Sequence, residues 1–187
     1  MSEYLLIEQC SATMAGLKTG NLFSCRGESA EQVAESLREM NRRLVPRGLR
    51  LIPLRLEDGM ALLYLYRPDR LKCDLCDEKA QDILREYAYP VQDPDRCVAC
   101  LARRLKDSEE FPHEVGLFLS YPPEDVEGFI RNGAKGAKCV GTWKVYGDED
   151  AAKKRFRLYK KCTEVYSRAY RRGHCLERLV VAGKSGR

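Results

Sequence analysis

A length of 187 residues with 44% hydrophobic and 33% charged side chains suits one domain that builds its own core, with no disulfide or structural metal needed for folding. No apolar run of about 18 residues exists, which excludes a spanning helix, and the start MSEYLLIEQC lacks the basic region of a secretory signal. Nine cysteines, an odd number, then indicate reduced thiols and a cytoplasmic location.

In chain order, an apolar segment begins at Leu5–Ile7 and ends near Cys10, residues Ala15–Gly20 form a turn region, and Asn21–Cys25 form a short strand. Ser29 and Gln32 have capping-box spacing, which predicts a helix from Ala30 to about Leu44 with Val33, Leu37, Met40 and Leu44 on its apolar face. Pro46 to Gly48 stop it. Leu49–Leu56 and Met60–Tyr66 flank a short loop at Glu57 to Gly59 and predict a β-hairpin. Helices are expected over Asp74–Tyr87 and over Pro94–Lys106, the second with Asp93 and Asp95 placed for capping. Val115–Leu119 reads as a strand, Tyr121 to Pro123 open a helix through Ile130, Lys138–Tyr146 reads as a strand, and Leu176–Val181 as the last strand. The tail Gly183–Arg187 is expected to be disordered. Helices and strands alternating in this way predict one domain over 1–187, an α/β or α+β layered fold with a mixed sheet flanked by helices.

The net charge is +5, and it is concentrated. Asp150 to Gly173 carries 9 basic and 2 acidic residues, a local +7. Phe156, Tyr159, Cys162, Tyr166, Ala169 and Tyr170 recur at helical spacing, leaving the lysines and arginines on the other faces of a basic helix over 150–173. That helix is either a solvated face or a docking surface for phosphate groups, nucleic acid or an acidic protein. Nucleic-acid modules usually add stacking aromatics or a groove-reading motif, and here the aromatics lie on the stripe expected to be buried.

Three sets of residues have chemistry to offer. Cys73-x2-Cys76 and Cys97-x2-Cys100 follow the spacing of a four-thiolate zinc site or an iron–sulfur ligand set. Cys97 and Cys100 also fall inside a predicted helix, where the same spacing describes two core residues. Neither pair lies between a clear strand and the helix it opens, as a thioredoxin-like redox site requires. Cys25 ends a strand beside Arg26 and ahead of a capped helix, an environment expected to favour its thiolate; a buried apolar role is the alternative. Cys10 lies across the Gly-containing turn that carries Lys18, which has no phosphate-loop order. His113 and Glu114, just after Pro112, could serve as acid, base or metal ligand, or as structural hydrogen-bonding groups.

The stretch Phe111-Pro-His-Glu-Val-Gly-Leu-Phe-Leu119, followed by Tyr121-Pro-Pro-Glu-Asp-Val126 and Gly128-Phe-Ile130, resembles the uncharacterised domain-of-unknown-function family 3793, found mainly in anaerobic Gram-positive bacteria. Ala15-Gly-Leu-Lys18, Asn21-Leu-Phe-Ser-Cys25, Tyr64-Leu-Tyr-Arg-Pro68, Trp143-Lys-Val-Tyr-Gly-Asp148 and Tyr159-Lys-Lys-Cys162 extend the resemblance over nearly the whole chain. Where that family's first motif reads His-Cys-Ala-Pro-Thr, this chain has Gln9-Cys10-Ser-Ala-Thr13. The resemblance implies a single domain, supplies no activity, and singles out Cys10, Lys18, Cys25, His113, Glu114 and Trp143.

The expectation is a small-molecule or cofactor-binding protein, either a binder alone or an enzyme with a reactive cysteine, whose cleft is built from the Cys10–Cys25 and His113–Glu114 segments. Cys10, Cys25, His113 and Glu114 are its chemical groups, and Lys18, Asn21 and Trp143 its ligand-binding groups. A second expectation is a protein that binds or handles a metal or haem, using zinc, iron–sulfur or haem ligation through Cys73, Cys76, Cys97 and Cys100 or a Cys/His pair. A third is docking of an anion, nucleic acid or acidic protein on the basic helix.

Overall fold

The computed structural model describes residues 1–57, 59–107 and 110–182. Helix α1 (Glu3–Met14) is capped by Ser2, whose hydroxyl accepts from Leu5 N. Strand β1 (Gly20–Arg26) leads to α2 (Ala30–Leu44), where Ser29 and Gln32 form the predicted capping box. A short 3₁₀ turn, Val45–Arg47, ends at Gly48 in the left-handed region, as the Pro-x-Gly sequence requires. Strands β2 (Arg50–Glu57) and β3 (Met60–Tyr66) form the hairpin. Then come α3 (Pro68–Asp74), α4 (Glu78–Glu86), α5 (Pro94–Asp107), α6 (Val115–Phe118) and α7 (Pro123–Asn132). Two-residue strands β4 (Cys139–Val140) and β5 (Lys144–Val145) precede the long α8 (Glu149–Arg171) and the short α9 (Leu176–Leu179).

The fold is α+β. The three long strands pair antiparallel in the order β1-β3-β2, where a mixed sheet was expected. Central β3 is buried on both faces because its side chains alternate between two helical layers. Ala61, Leu63 and Leu65 join Phe23, Cys25 and Leu51 under α1, α2 and α9. Tyr64 and Tyr66 face the opposite layer with the apolar sides of α3, α4, α5 and α6. A bulge between Pro53 and Arg55 turns Leu54 into that second layer, and Pro53 sits on an edge strand, where a missing N–H is tolerated.

Four sequence readings are corrected by the structure. Val115–Leu119 is helical: its side chains are buried on all sides, so the run carries no period, and Val115 N to Pro112 O and Leu117 N to Glu114 O close helical turns. Within Leu176–Val181, residues Leu176–Leu179 likewise fold as a helix, α9, with Arg178 N bonded to Cys175 O, and Val180 is extended. Lys138–Tyr146 is a tight β4–β5 hairpin turning at Gly141 to Trp143. The helix expected over Asp74–Tyr87 is broken at Leu75–Asp77, because Asp77 caps α4 through Ala80 N and ends the preceding helix. The predicted tail 183–187 lies outside the described residues.

Buried Arg67 ties the layers together. Its Nε donates to Thr13 O, and its Nη2 donates to Met14 O and Val181 O, all at 2.7 Å. The last carbonyls of α1 thus gain a cationic partner. Alongside, α1 packs lengthwise on α8, joined by the Ser11–Thr163 hydroxyl pair at 2.7 Å. Among the described residues no helix is long and apolar enough to cross a membrane.

Candidate functional site

Two of the segments singled out by the sequence do meet, through other residues than those expected. The turn after α1 lies against the α6–α7 junction: Thr19 N donates to Ser120 Oγ at 2.8 Å. Thr19 Oγ1 (2.5 Å) and Ser120 Oγ (2.9 Å) both donate to Asp74 Oδ2 on α3, so one carboxylate clamps the two loops. Gly20 follows because nothing larger fits. A Cβ there would stand 2.6 Å from Tyr64 Oη and 2.8 Å from Phe118 O, the two atoms already joined by a 2.6 Å hydrogen bond. Ser120 has φ +59 as the left-handed residue that ends α6, with Tyr121 N returning to Gly116 O.

Beyond this junction lies a cavity of about 350 Å³. The stretch from Phe111 to Gly116 and helix α7 form one side, and the β4–β5 hairpin the other. Tyr121, Phe129 and Trp143 supply aromatic walls, and His113 and Lys144 the polar ones. The Trp143 ring stacks on Tyr121 (4.8 Å between centroids) and takes Phe156 of α8 edge-on (4.5 Å). The exposed His113 ring stands edge-on to Phe129 at 4.7 Å, and Lys144 Nζ lies 4.7 Å from the centre of that same ring. Gly116 lets the wall close up, since a Cβ would meet Val126 Cγ2 at 2.7 Å.

The hairpin is held by one buried carboxylate. Asp125, on the first turn of α7, accepts from Trp143 Nε1 (2.6 Å), Tyr146 N (2.7 Å) and Gly147 N (2.7 Å). Although Asp125 borders the cavity, its oxygens are occupied by these three donors. The sequence reading missed it: Asp125 lies in Pro-Pro-Glu-Asp, which reads only as the opening of a helix. Phe129 and Lys144 were also missed, because their face is set by the position of the hairpin.

The expected site residues separate. Cys10 and Cys25 are buried in the α1–α2 layer, away from the cavity wall. Burial pushes the Cys10 thiol well above its ordinary range. Cys25 is raised as well, by burial first and then by the neighbouring Glu28 carboxylate, the opposite of the thiolate-favouring environment that Arg26 suggested. Glu114 is buried and turns away from His113 to accept from Arg104 Nε (2.7 Å) and Tyr89 Oη (3.0 Å). That is a structural ion pair. Asn21 Oδ1 accepts from Thr13 Oγ1 at 2.7 Å. Of the expected set, His113 and Trp143 line the cavity. Lys18 stands next to it, buried, with Nζ 5.3 Å from the centre of the Tyr121 ring.

The four-thiolate site is not assembled. Cys73 and Cys76 are exposed, while Cys97 and Cys100 lie buried on the apolar face of α5, with Cys97 Sγ donating to Pro90 O. Among the described residues, no three Cys, His, Asp or Glu side chains are placed to hold a metal ion. On the far side of Tyr121 a larger cleft, about 720 Å³, opens between the start of α8 and the α3–α4 junction; Arg70, Cys73, Asp74, Ser120, Arg155 and Tyr159 lie on its walls.

Fold and site together define an α+β protein with a small aromatic cavity beside a wider polar cleft. The chain belongs to the family described as Protein of unknown function (DUF3793), whose model matches residues 6–180. No curated protein and no solved structure matches it.

Proposed function

We propose that this chain binds a small aromatic anion in the cavity between Phe111–Phe129 and the β4–β5 hairpin. The observation that carries this reading is the charge balance of an aromatic-walled site. Tyr121, Phe129 and Trp143 offer ring faces, and the ammonium groups of Lys144 and Lys18 lie over two of those rings. Both nearby carboxylates are committed, Asp125 to three N–H donors and Glu114 to Arg104. Lys144, the cation on the cavity wall, therefore pairs with neither carboxylate and can meet an anionic occupant, while Lys18, buried beside Tyr121 and outside the lining, adds its charge at a distance. A volume of about 350 Å³ falls at the lower end of the range for ligand sites, about 300–1,000 Å³.

The test is titration with anilinonaphthalene sulfonate, an aromatic anion, alongside its uncharged anilinonaphthalene parent. Trp143 is the single tryptophan and serves as energy donor. Saturable binding of the sulfonate that quenches Trp143, and that weakens in Lys144→Glu while the neutral compound is unaffected, supports the reading. Equal binding of both compounds by wild type and variant rejects it.

A second reading, docking of a polyanion on α8, is supported by one feature. A shallow groove along it is lined by Lys160, Arg168, Arg171 and Arg172, with Glu164 as the one carboxylate among them. Fluorescence anisotropy with a labelled oligonucleotide tests it: binding by phosphate contacts must weaken steeply between about 50 and 200 mM salt, and binding indifferent to salt counts against it.

A further inference from the structure

The break in the helix at Leu75–Asp77 places two cysteines at its edges. Cys73 is in the last turn of α3, and Cys76 immediately precedes Asp77, the cap of α4. Both are exposed, whereas Cys10, Cys25, Cys97, Cys100 and Cys162 are buried. Cys76 N donates to Cys73 O at 3.1 Å, closing a turn in which Leu75 has φ −80 and ψ −2. A turn closed by such a bond brings its end Cα atoms within about 7 Å, and a disulfide spans about 4.4–6.8 Å between Cα atoms. Cys73 also lies on the wall of the 720 Å³ cleft, so a small reagent can reach it.

We infer that Cys73 and Cys76 form a reversible dithiol–disulfide site that exchanges with small-molecule disulfides at the edge of the polar cleft. The thiolate of one cysteine attacks a sulfur of the incoming disulfide R–S–S–R, breaking its S–S bond and releasing one RS⁻, which takes up a proton. The thiolate of the other cysteine then attacks the protein sulfur of the mixed disulfide and expels the second thiol. Two electrons and two protons leave the protein pair, the internal S–S bond forms, and the donor is reduced to two thiols. A bridge over two intervening residues closes a very short loop and lies exposed, the setting in which disulfides are labile.

The pair is coupled to the cleft through Asp74, one of the two residues between them in the turn. Its carboxylate holds Thr19 Oγ1 and Ser120 Oγ, and with them the junction of the α1–β1 turn with the α6–α7 loop. The site rests on this turn and is independent of what the aromatic cavity binds.

The test treats the fully reduced full-length chain with glutathione disulfide, blocks remaining thiols, and reads intact mass and peptide map. The expected product carries a Cys73–Cys76 bridge, two hydrogen atoms lighter at that pair and free of glutathione there, and a dithiol reductant added before blocking restores the starting mass. Cys73→Ser and Cys76→Ser, both at exposed positions, should instead retain one glutathione on the surviving cysteine. Exposed Cys175 is the internal control, because it has no partner three residues away and should stop at the mixed disulfide. Wild-type protein that carries glutathione on both Cys73 and Cys76, or that reacts at Cys175 while leaving this pair reduced, overturns the inference.

Discussion

The Lys18 ammonium stands 5.3 Å from the centre of the Tyr121 ring. Lys18 is 3% exposed and forms no ion pair among the described residues. A ring face compensates a buried cation only in part, so desolvation dominates and its pKa is pushed down from 10.5 to about 8.

This arrangement sets a pH signature. Because the folded state holds the Lys18 proton less tightly than the unfolded chain, the penalty is fully present below pH 8 and is relieved as pH rises from 8 towards 10.5. A shift of this size corresponds to about 3 kcal/mol. Lys18→Met should therefore stabilise the protein at pH 7 by up to about 3 kcal/mol in urea unfolding, with the gain shrinking as pH is raised above 8. A variant less stable than wild type at pH 7 would show that Lys18 has a partner. The same variant should bind the aromatic sulfonate more weakly, since a positive charge beside the cavity wall at Tyr121 is removed.

Asp125 gives a prediction about the hairpin. In Asp125→Asn, an amide oxygen placed as Oδ1 still accepts from Tyr146 N and Gly147 N, but the amide nitrogen then faces Trp143 Nε1–H, donor against donor. The loss of one charge-assisted bond should cost about 1.5–3 kcal/mol. Trp143 emission should move to longer wavelength in the folded state as the indole gains water. Unchanged emission with unchanged stability would mean that the hairpin is held by its ring contacts alone.

Gly20 gives one about the junction. Gly20→Ala forces a methyl against Tyr64 Oη and Phe118 O. Overpacking of this kind typically costs about 1–3 kcal/mol. The double variant with Tyr64→Phe should recover only part of that loss, because the ring remains and Phe118 O then lacks its donor. Urea midpoints of the two single variants and the double variant check this. Additive losses would place the effect in the backbone of β1 instead.

Where a local period or a cap dominates, the fold was legible in the sequence. Helix α2 was bounded by Ser29, Gln32 and Pro46, β3 by its flanking turn, and α5 by Asp93, whose side chain accepts from Arg96 N. The segments that misled lack a clean division into an apolar and a polar face. Helix α6 buries every residue and presents no solvent face to set a period, and α1 buries Ser11 and Thr13 along with Leu6, Ile7, Cys10 and Met14, which blurs its period although Glu8 and Gln9 are exposed. The candidate site was half legible. His113 and Trp143 stood out by residue type. Cys10, Cys25 and Glu114 attracted attention for chemistry that burial and Arg104 then removed. The parts that complete the cavity, Asp125, Phe129 and Lys144, depend on a long-range contact between α7 and β5, which no local pattern encodes.

The most direct test of the central claim uses the single tryptophan. Protein labelled with 5-fluorotryptophan gives one fluorine resonance, from Trp143, and anilinonaphthalene sulfonate is titrated against it. Binding in the aromatic cavity predicts a saturable shift of that resonance in the wild type, with affinity reduced in both Lys144→Glu and Lys18→Met. A resonance that stays in place while the probe binds elsewhere, or that shifts identically in wild type and both variants, would contradict the proposal that this cavity holds an aromatic anion.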